Sequence, residues 1–380
     1  MILHFSPLNH DSQKSMELAI QSLRFPMIVC VVYIHSVVYG IGDDAYLYHG
    51  VSFLLTGQLA QIAVPLFYFI SGYLLFYHKG EHFNVTTYIS VLKRRAKSLL
   101  VPYLFWNLAV TLLFWGVQSL CPQLITGNNQ YQKPVADYGV LDWVYSFWDT
   151  NLINGSNGNP FPACFQLWFI RDLMVMVLCS PLIYIFIRKL RCMSLYIAVL
   201  VVAWFLDVWP QIAGFNILAC LFFPLGAWFS LNRIDFSVTF RRLGLLAFLM
   251  YLFGIMVVML VDDARDYVSR PMIFLGMVWV VAIVSFRVSL ISKPLINASL
   301  TDSSFLIYAI HGIPVLYLNK ILGNILAPLT DVEAVGIYLI GPIFVILFGV
   351  VLYKYLNRFF PKFTSVIVGD RSVAKVYTHD

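Results

Sequence analysis

Charge is scarce in this sequence. Asp, Glu, Lys and Arg supply 12% of its 380 residues, where a soluble domain carries roughly 25%. Hydrophobic residues supply 60%, so the chain could not cover its own surface in water and lipid must be the solvent for much of it. No polar stretch is long enough to fold alone, which excludes a separate soluble domain. There is no Walker loop, no G-x-G-x-x-G, no H-E-x-x-H and no Cys-x-x-Cys. These absences leave no support for a P-loop enzyme, a dinucleotide fold, a zinc protease or a dithiol redox centre. No repeat of fixed period occurs, which excludes a solenoid.

Long apolar runs are what the sequence has instead. A span needs about 20 mostly apolar residues. Ten stretches qualify: roughly 18–39, 52–77, 98–119, 164–187, 194–209, 212–230, 243–261, 271–288, 303–321 and 334–355. The fifth and sixth are short and joined by Asp207–Gly214, so nine or eleven spans are alternatives. Pro26, Pro65, Pro181, Pro224, Pro314 and Pro342 fall inside these stretches. Neighbouring helices can re-satisfy the carbonyls that proline frees, so none of them vetoes a helix. The first 17 residues are polar and no A-x-A-like site follows the first run, which predicts a retained span rather than a cleaved signal.

The basic residues orient these spans. With the N-terminus inside, inner segments collect 19 of the 25 Lys and Arg, and outer loops collect four. That asymmetry predicts an all-α integral membrane protein, a bundle of about ten transmembrane helices with both termini cytoplasmic. Residues 1–17 form a cytoplasmic segment, 18–357 the transmembrane domain and 358–380 a cytoplasmic tail in this reading. The net charge of +6 is then a topology signal, with membrane lipids and no nucleic acid as the default partner. The long loop 120–163 is external and rich in aromatics, and reads as an interfacial belt or as a lid over substrate. Cys121 and Cys164 bracket it on the outer side. A disulfide between them is expected to persist in an oxidising compartment, with two unpaired thiols as the alternative.

Charges within spans are costly and mark functional candidates. Arg24 and His35 lie eleven residues apart in the first span, hence on one helix face and about 16 Å apart. Each has a structural reading as well, Arg24 as a snorkelling anchor and His35 as a neutral histidine bonded to a neighbouring helix. Arg171 and Asp172 open the fourth span, either as pocket residues or as an inter-helix ion pair. Adjacent residues point about 100° apart, so at least one of them must reach a third group. His311 sits mid-span, with Thr301 or Asp302 expected as its helix N-cap. Ser71 and Gly72 suit close helix approach first and a pocket second. Lys93, Arg94, Arg95 and Lys97 gather at the inner mouth of the third span. They suit anionic lipid headgroups or the phosphates of a nucleotide-like donor.

Together these segments resemble the acyltransferase-3 family of bacterial membrane proteins. The resemblance is carried by Arg24 and His35 with ten residues between them and by Val64-Pro-Leu-Phe-Tyr-Phe-Ile-Ser-Gly-Tyr73. The basic run into Leu99-Leu-Val-Pro-Tyr103, Leu167-Trp-Phe-Ile-Arg-Asp-Leu173 and Ser304-Phe-Leu-Ile-Tyr-Ala-Ile-His-Gly-Ile313 complete it. The resemblance implies a ten-helix bundle in the bacterial cytoplasmic (inner) membrane. It would take acyl groups, acetyl above all, from cytoplasmic acyl-CoA to a glycan or lipid-linked sugar at the outer side. Arg24 and His35 match the family's essential pair, and the basic run matches its cytoplasmic Arg-x-x-Arg element. Here that element reads Arg94-Arg-Ala-Lys97, and lysine keeps the charge while losing the planar fork that grips phosphate bidentately. Many relatives carry a fused extracytoplasmic SGNH-type hydrolase domain, and the absence of such a segment implies a stand-alone transferase.

On this reading His35 is the base that takes the acceptor's proton, with Arg24 helping at the donor side. Arg94, Arg95, Lys97 and Lys93 hold the donor phosphates, and Arg171, Asp172, His311 and Ser71 line the pocket. Acyl-CoA is a co-substrate, no metal is required, and a homo-oligomer is compatible. Two rivals are a transporter or exporter of a glycan or small anion, and a sensor or scaffold. The transporter predicts interrupted helices in matching positions of two repeated halves; the sensor needs no buried Arg–His face.

Overall fold

A computed structural model describes residues 10–77, 83–121, 133–156, 158–189, 192–261, 265–327 and 329–370. Helices dominate, and no strand occurs among the described residues. The first helix, α1, spans His10–Ile34. Two long composite helices follow, α2 (Tyr46–Phe76) and α3 (Val85–Leu120). The loop after α3 holds two short helices, α4 (Val140–Ser146) and α5 (Asn151–Asn154). Then come α6 (Trp168–Leu178), α7 (Ser180–Arg188), α8 (Met193–Phe205), α9 (Ile217–Leu231), α10 (Phe236–Leu260) and α11 (Arg265–Ile291). The chain ends with α12 (Ala298–Ile310), α13 (Gly312–Leu326), α14 (Asp331–Phe359) and α15 (Pro361–Val368).

Six of these helices are long and apolar enough to cross a membrane, or eight if each of two bent pairs is one span. The protein is therefore a multi-pass membrane protein. Each of the ten expected stretches falls on a helix or bent pair, but α8 and α9 are apolar helices of only 13 and 15 residues.

Two expected spans are broken, and proline explains both. The 164–187 stretch bends by 55° between α6 and α7, and the 303–321 stretch by 70° between α12 and α13. Pro181 and Pro314 follow the two breaks, where a missing N–H and a ring clash end the preceding helix. The first helix also stops short of its expected end at residue 39. After Ile34 the His35 N–H donates to the Val32 carbonyl and the Ser36 N–H to that of Tyr33, so the last turn tightens and the chain leaves the helix. The helix before His311 begins earlier than expected. Its N-cap is Asn297, whose Oδ1 accepts from the Ser299 N–H at 2.9 Å, not Thr301 or Asp302.

Small residues set the closest contacts. A methyl group on Gly72 would collide with the Phe223 carbonyl of α9, and one on Gly226 with the Phe69 carbonyl of α2. The two backbones touch through reciprocal glycines, so the close-approach reading of the Ser71-Gly72 pair holds for Gly72. The outward faces of α10 and α14 expose Leu245, Phe253, Phe344 and Val351, as a lipid-facing surface requires.

The loop between α3 and α6 is tied to the bundle by a buried cation. Arg171 is 2% exposed; its Nη1 donates to the carbonyls of Trp148 at 2.6 Å and Pro160 at 2.9 Å. Its Nε donates to Asp172 Oδ1 at 2.9 Å. The same carboxylate oxygen accepts the Gly214 N–H at 3.0 Å. The two residues thus bond to each other and also reach third groups on either side. Within the loop, the Lys133 ammonium and the Gly139 N–H hold the Asp142 carboxyl below the usual carboxylate range. The expected disulfide is absent. Cys121 and Cys164 are both free thiols. Cys121 is exposed where α3 ends, whereas Cys164 is buried, its thiol 3.8 Å from the Ala309 carbonyl.

The expected cytoplasmic tail contains a docked helix. Phe360 breaks α14, Pro361 starts α15, and the Trp106 indole N–H donates to the Ile367 carbonyl at 3.0 Å. Gly369 then takes a left-handed conformation, φ 73°, and presses on the Ser98 carbonyl so closely that a methyl group would collide. Residues 371–380 lie outside the described residues.

Candidate functional site

One face of α1 lines a cavity of about 630 Å³. Ile20, Arg24, Ile28, Val31 and His35 all contribute to its wall, spaced by three or four residues as a single helical stripe requires. Val64, Phe67, Ile70, Ser71 and Leu74 of α2 form the facing stripe, and Phe169, Leu173, Phe305 and Tyr308 close the sides. The middle of the cavity is therefore apolar, and its polar groups gather towards two ends.

Arg24, Arg94 and Arg95 line the first end, with Ser98, Asp302 and Asp370. Arg94, Arg95, Ser98 and Leu99 fall on one face where α3 passes through a π-helical stretch, Ala96–Leu100. Three guanidinium groups meet two carboxylates there, which leaves the lining cationic. Lys97 is exposed and pairs with Asp370 at 3.3 Å, and Ser365 donates to the other oxygen of that carboxylate at 2.8 Å. Neither Lys97 nor Lys93 lines the cavity.

His35 lies at the second end with Gln61, Gln166 and Tyr308. The backbone around His35 is held from three sides. The Tyr33 hydroxyl donates to the Leu339 carbonyl at 2.8 Å, and the Tyr33 carbonyl accepts from Thr56 at 2.7 Å. The Ser36 hydroxyl donates to the Tyr338 carbonyl and accepts from the Asn319 amide. The His35 ring packs edge-on to Phe165, 5.1 Å between centroids, and lies 5.2 Å from the His311 ring.

His311 occupies the break between α12 and α13 and is fully buried. Its Nδ1–H donates to the Tyr308 carbonyl at 2.7 Å, which fixes the tautomer and leaves Nε2 as an acceptor. Nε2 has no hydrogen-bond partner among the described residues. Gln166 Nε2 donates to the Ala309 carbonyl at 2.7 Å, and the Tyr308 hydroxyl donates to the Gln166 carbonyl. Side chains thus satisfy the carbonyls at the break, as a kinked helix in lipid requires.

Of the expected site residues, the cavity brings together Arg24, His35, Ser71, Arg94 and Arg95, and His311 stands behind His35. Arg171 and Asp172 line no part of it and hold the loop between α3 and α6 instead. Sequence reading missed Gln61, Gln166, Tyr308, Asp302 and Asp370. Tyr308 follows Ser304 at helical spacing on the motif that carries His311, a signal that could have found it; Asp370 had none. Among the described residues no three His, Cys, Asp or Glu side chains cluster as a metal site would.

Residues 17–363, nearly the whole chain, match the acyltransferase-3 family, described as an acyltransferase domain. The chain belongs to the acyltransferase-3 family. No curated protein and no solved structure matches it. As an acyltransferase-3 protein it is a membrane acyltransferase, and the matched residues include all of the cavity wall except Gly369 and Asp370.

Proposed function

We propose that this acyltransferase-3 protein moves an acyl group, acetyl in the first instance, from cytoplasmic acyl-CoA. The acceptor is a hydroxyl of a glycan or lipid-linked sugar at the outer side of the bacterial cytoplasmic membrane. One observation carries the proposal: a single cavity is lined both by Arg24, Arg94 and Arg95 and by His35, which lies just past the end of α1, eleven residues after Arg24. In this reading α8 and α9 complete ten spans, with both termini cytoplasmic.

The donor set fits its substrate. Arg24, Arg94 and Arg95 offer forked N–H donors of the kind that grip phosphates. The apolar middle suits the arm that carries the thioester. At the far end His35 accepts the proton as the acceptor oxygen attacks the thioester carbonyl carbon, and returns it to the sulfur as the C–S bond breaks. The oxygen–carbon bond formed replaces the carbon–sulfur bond lost, so the products are the ester and the free CoA thiol. Phe165 and His311 hold the His35 imidazole in place from two sides, and the apolar wall excludes water that would hydrolyse the thioester. Mass spectrometry of surface glycans from a deletion strain tests the acceptor side. Loss of an acyl mass from one sugar, restored by the wild-type gene and not by His35→Ala, is the expected result.

A transporter has one observation in its favour. The two broken helices are the fourth and ninth of ten apolar segments, matching positions in two halves of five. Both breaks precede a proline, and the second is closed by side-chain hydrogen bonds. A transporter would move its cargo without consuming thioester, so release of free CoA separates the two.

A further inference from the structure

A second pocket, about 400 Å³, lies away from the first, where α1 and α10 begin and α11 ends. Three helix faces converge on it. Lys14 comes from α1; Ser237 and Arg241, four residues apart, from α10; Ser285, Ser289 and Ser292, four and three apart, from the end of α11. No Asp or Glu lines it among the described residues. Arg241 Nη1 donates to Ser289 Oγ at 3.2 Å, which aims the guanidinium across the α10–α11 gap. The nearby carboxylate, Asp235, caps α10 through one oxygen, which accepts the Ser237 and Val238 N–H groups and the Ser237 hydroxyl, while its buried Oδ2 has no hydrogen-bond partner among the described residues. The start of α10 is therefore already capped, and the pocket is not merely a helix terminus.

Ser285 is the decisive residue. It is 3% exposed, lines the pocket, and its hydroxyl has no hydrogen-bond partner among the described residues. A buried serine in a helix can donate to the carbonyl one turn back, and leaving its hydroxyl unpaired is unfavourable. An acceptor oxygen arriving in the pocket would satisfy it. The Ser237 and Ser289 hydroxyls already donate to Asp235 and to the Phe286 carbonyl, so Lys14, Arg241 and the Ser285 hydroxyl, with no carboxylate among the described lining residues, select a group with several acceptor oxygens and a negative charge. We propose that this pocket binds a phosphate group, either that of an anionic phospholipid headgroup or a free phosphate, separately from the Arg24–His35 cavity.

The test uses the purified full chain in neutral detergent, with thermal unfolding as the readout. It is titrated with phosphatidylglycerol, with phosphatidylcholine and with inorganic phosphate. Phosphatidylglycerol is expected to raise Tm saturably. Lys14→Gln/Arg241→Gln should raise the half-saturating concentration at least about tenfold, as loss of charge-assisted hydrogen bonds implies. Ser285→Ala, which removes only the hydroxyl, should weaken binding in the same direction. Arg94→Gln/Arg95→Gln should leave the response unchanged, so that failure of the pocket and failure of the donor cavity are read separately. A matching response to inorganic phosphate assigns a free phosphate group; a response to phosphatidylglycerol alone assigns the lipid. Phosphatidylcholine as effective as phosphatidylglycerol, or Lys14 and Arg241 variants that titrate like wild type, overturns the proposal.

Discussion

The imidazole rings of His35 and His311 lie 5.2 Å apart between centroids, joining the end of the first helix to the break in α12–α13. They are not equivalent. His35 lines the cavity, and its ring has no hydrogen-bond partner among the described residues. His311 is walled off and committed through Nδ1 to the Tyr308 carbonyl.

This difference separates two substitutions. His35→Ala should reduce acyl transfer by about 10²–10⁴-fold, the usual contribution of a general base. Tm should change little, because the ring holds no backbone group. Purified variant with wild-type unfolding behaviour and near-wild-type turnover would remove His35 from the chemistry.

His311→Ala should lower Tm as well as activity. It strips a buried carbonyl of its donor, at a cost of about 1–3 kcal/mol, and leaves space behind His35. Turnover should fall with donor KM nearly constant, since His311 touches no donor-binding arginine. Thermal unfolding alongside steady-state kinetics reads both effects. A Tm equal to wild type would mean the Tyr308 bond is not made.

Arg94→Gln/Arg95→Gln should raise donor KM about 10–100-fold, with acceptor KM much less affected. Two charge-assisted contacts worth about 1.5–3 kcal/mol each set that range after partial compensation by Arg24. An unchanged donor KM with reduced membrane insertion would return these residues to lipid anchoring.

Arg171→Met should be among the most destabilising single changes, by about 3–5 kcal/mol, because it leaves Asp172 charged and buried without its cation. The Trp148 and Pro160 carbonyls lose their donor at the same time. Limited proteolysis within 133–156 should accelerate in the variant. Cleavage as slow as in wild type would contradict the loop-holding role.

Much of this arrangement is legible in the sequence because α1 is a regular helix. The Arg24-to-His35 spacing alone puts both residues on one face, and they line one cavity. The apolar stretches likewise locate each long helix. The breaks are less legible. Pro181 and Pro314 disrupt their helices while Pro26, Pro224 and Pro342 sit inside continuous ones, and local sequence does not separate the two cases. Arg171 reads as a pocket residue because its partners are backbone carbonyls of a distant loop, which carry no side-chain signature. Asp370 lies in what reads as a tail, and only the docking of α15 on α3 brings it to the cavity mouth.

The central claim is that the Arg24–His35 cavity consumes acyl-CoA. Its most direct test is release of free CoA thiol from acetyl-CoA by the purified protein in nanodiscs. The account predicts saturable release above the empty-nanodisc blank, stimulated by a hydroxyl acceptor, shifted to higher acetyl-CoA in Arg94→Gln/Arg95→Gln and abolished in His35→Ala. Release indistinguishable from the blank, or equal in wild type and His35→Ala, would contradict it.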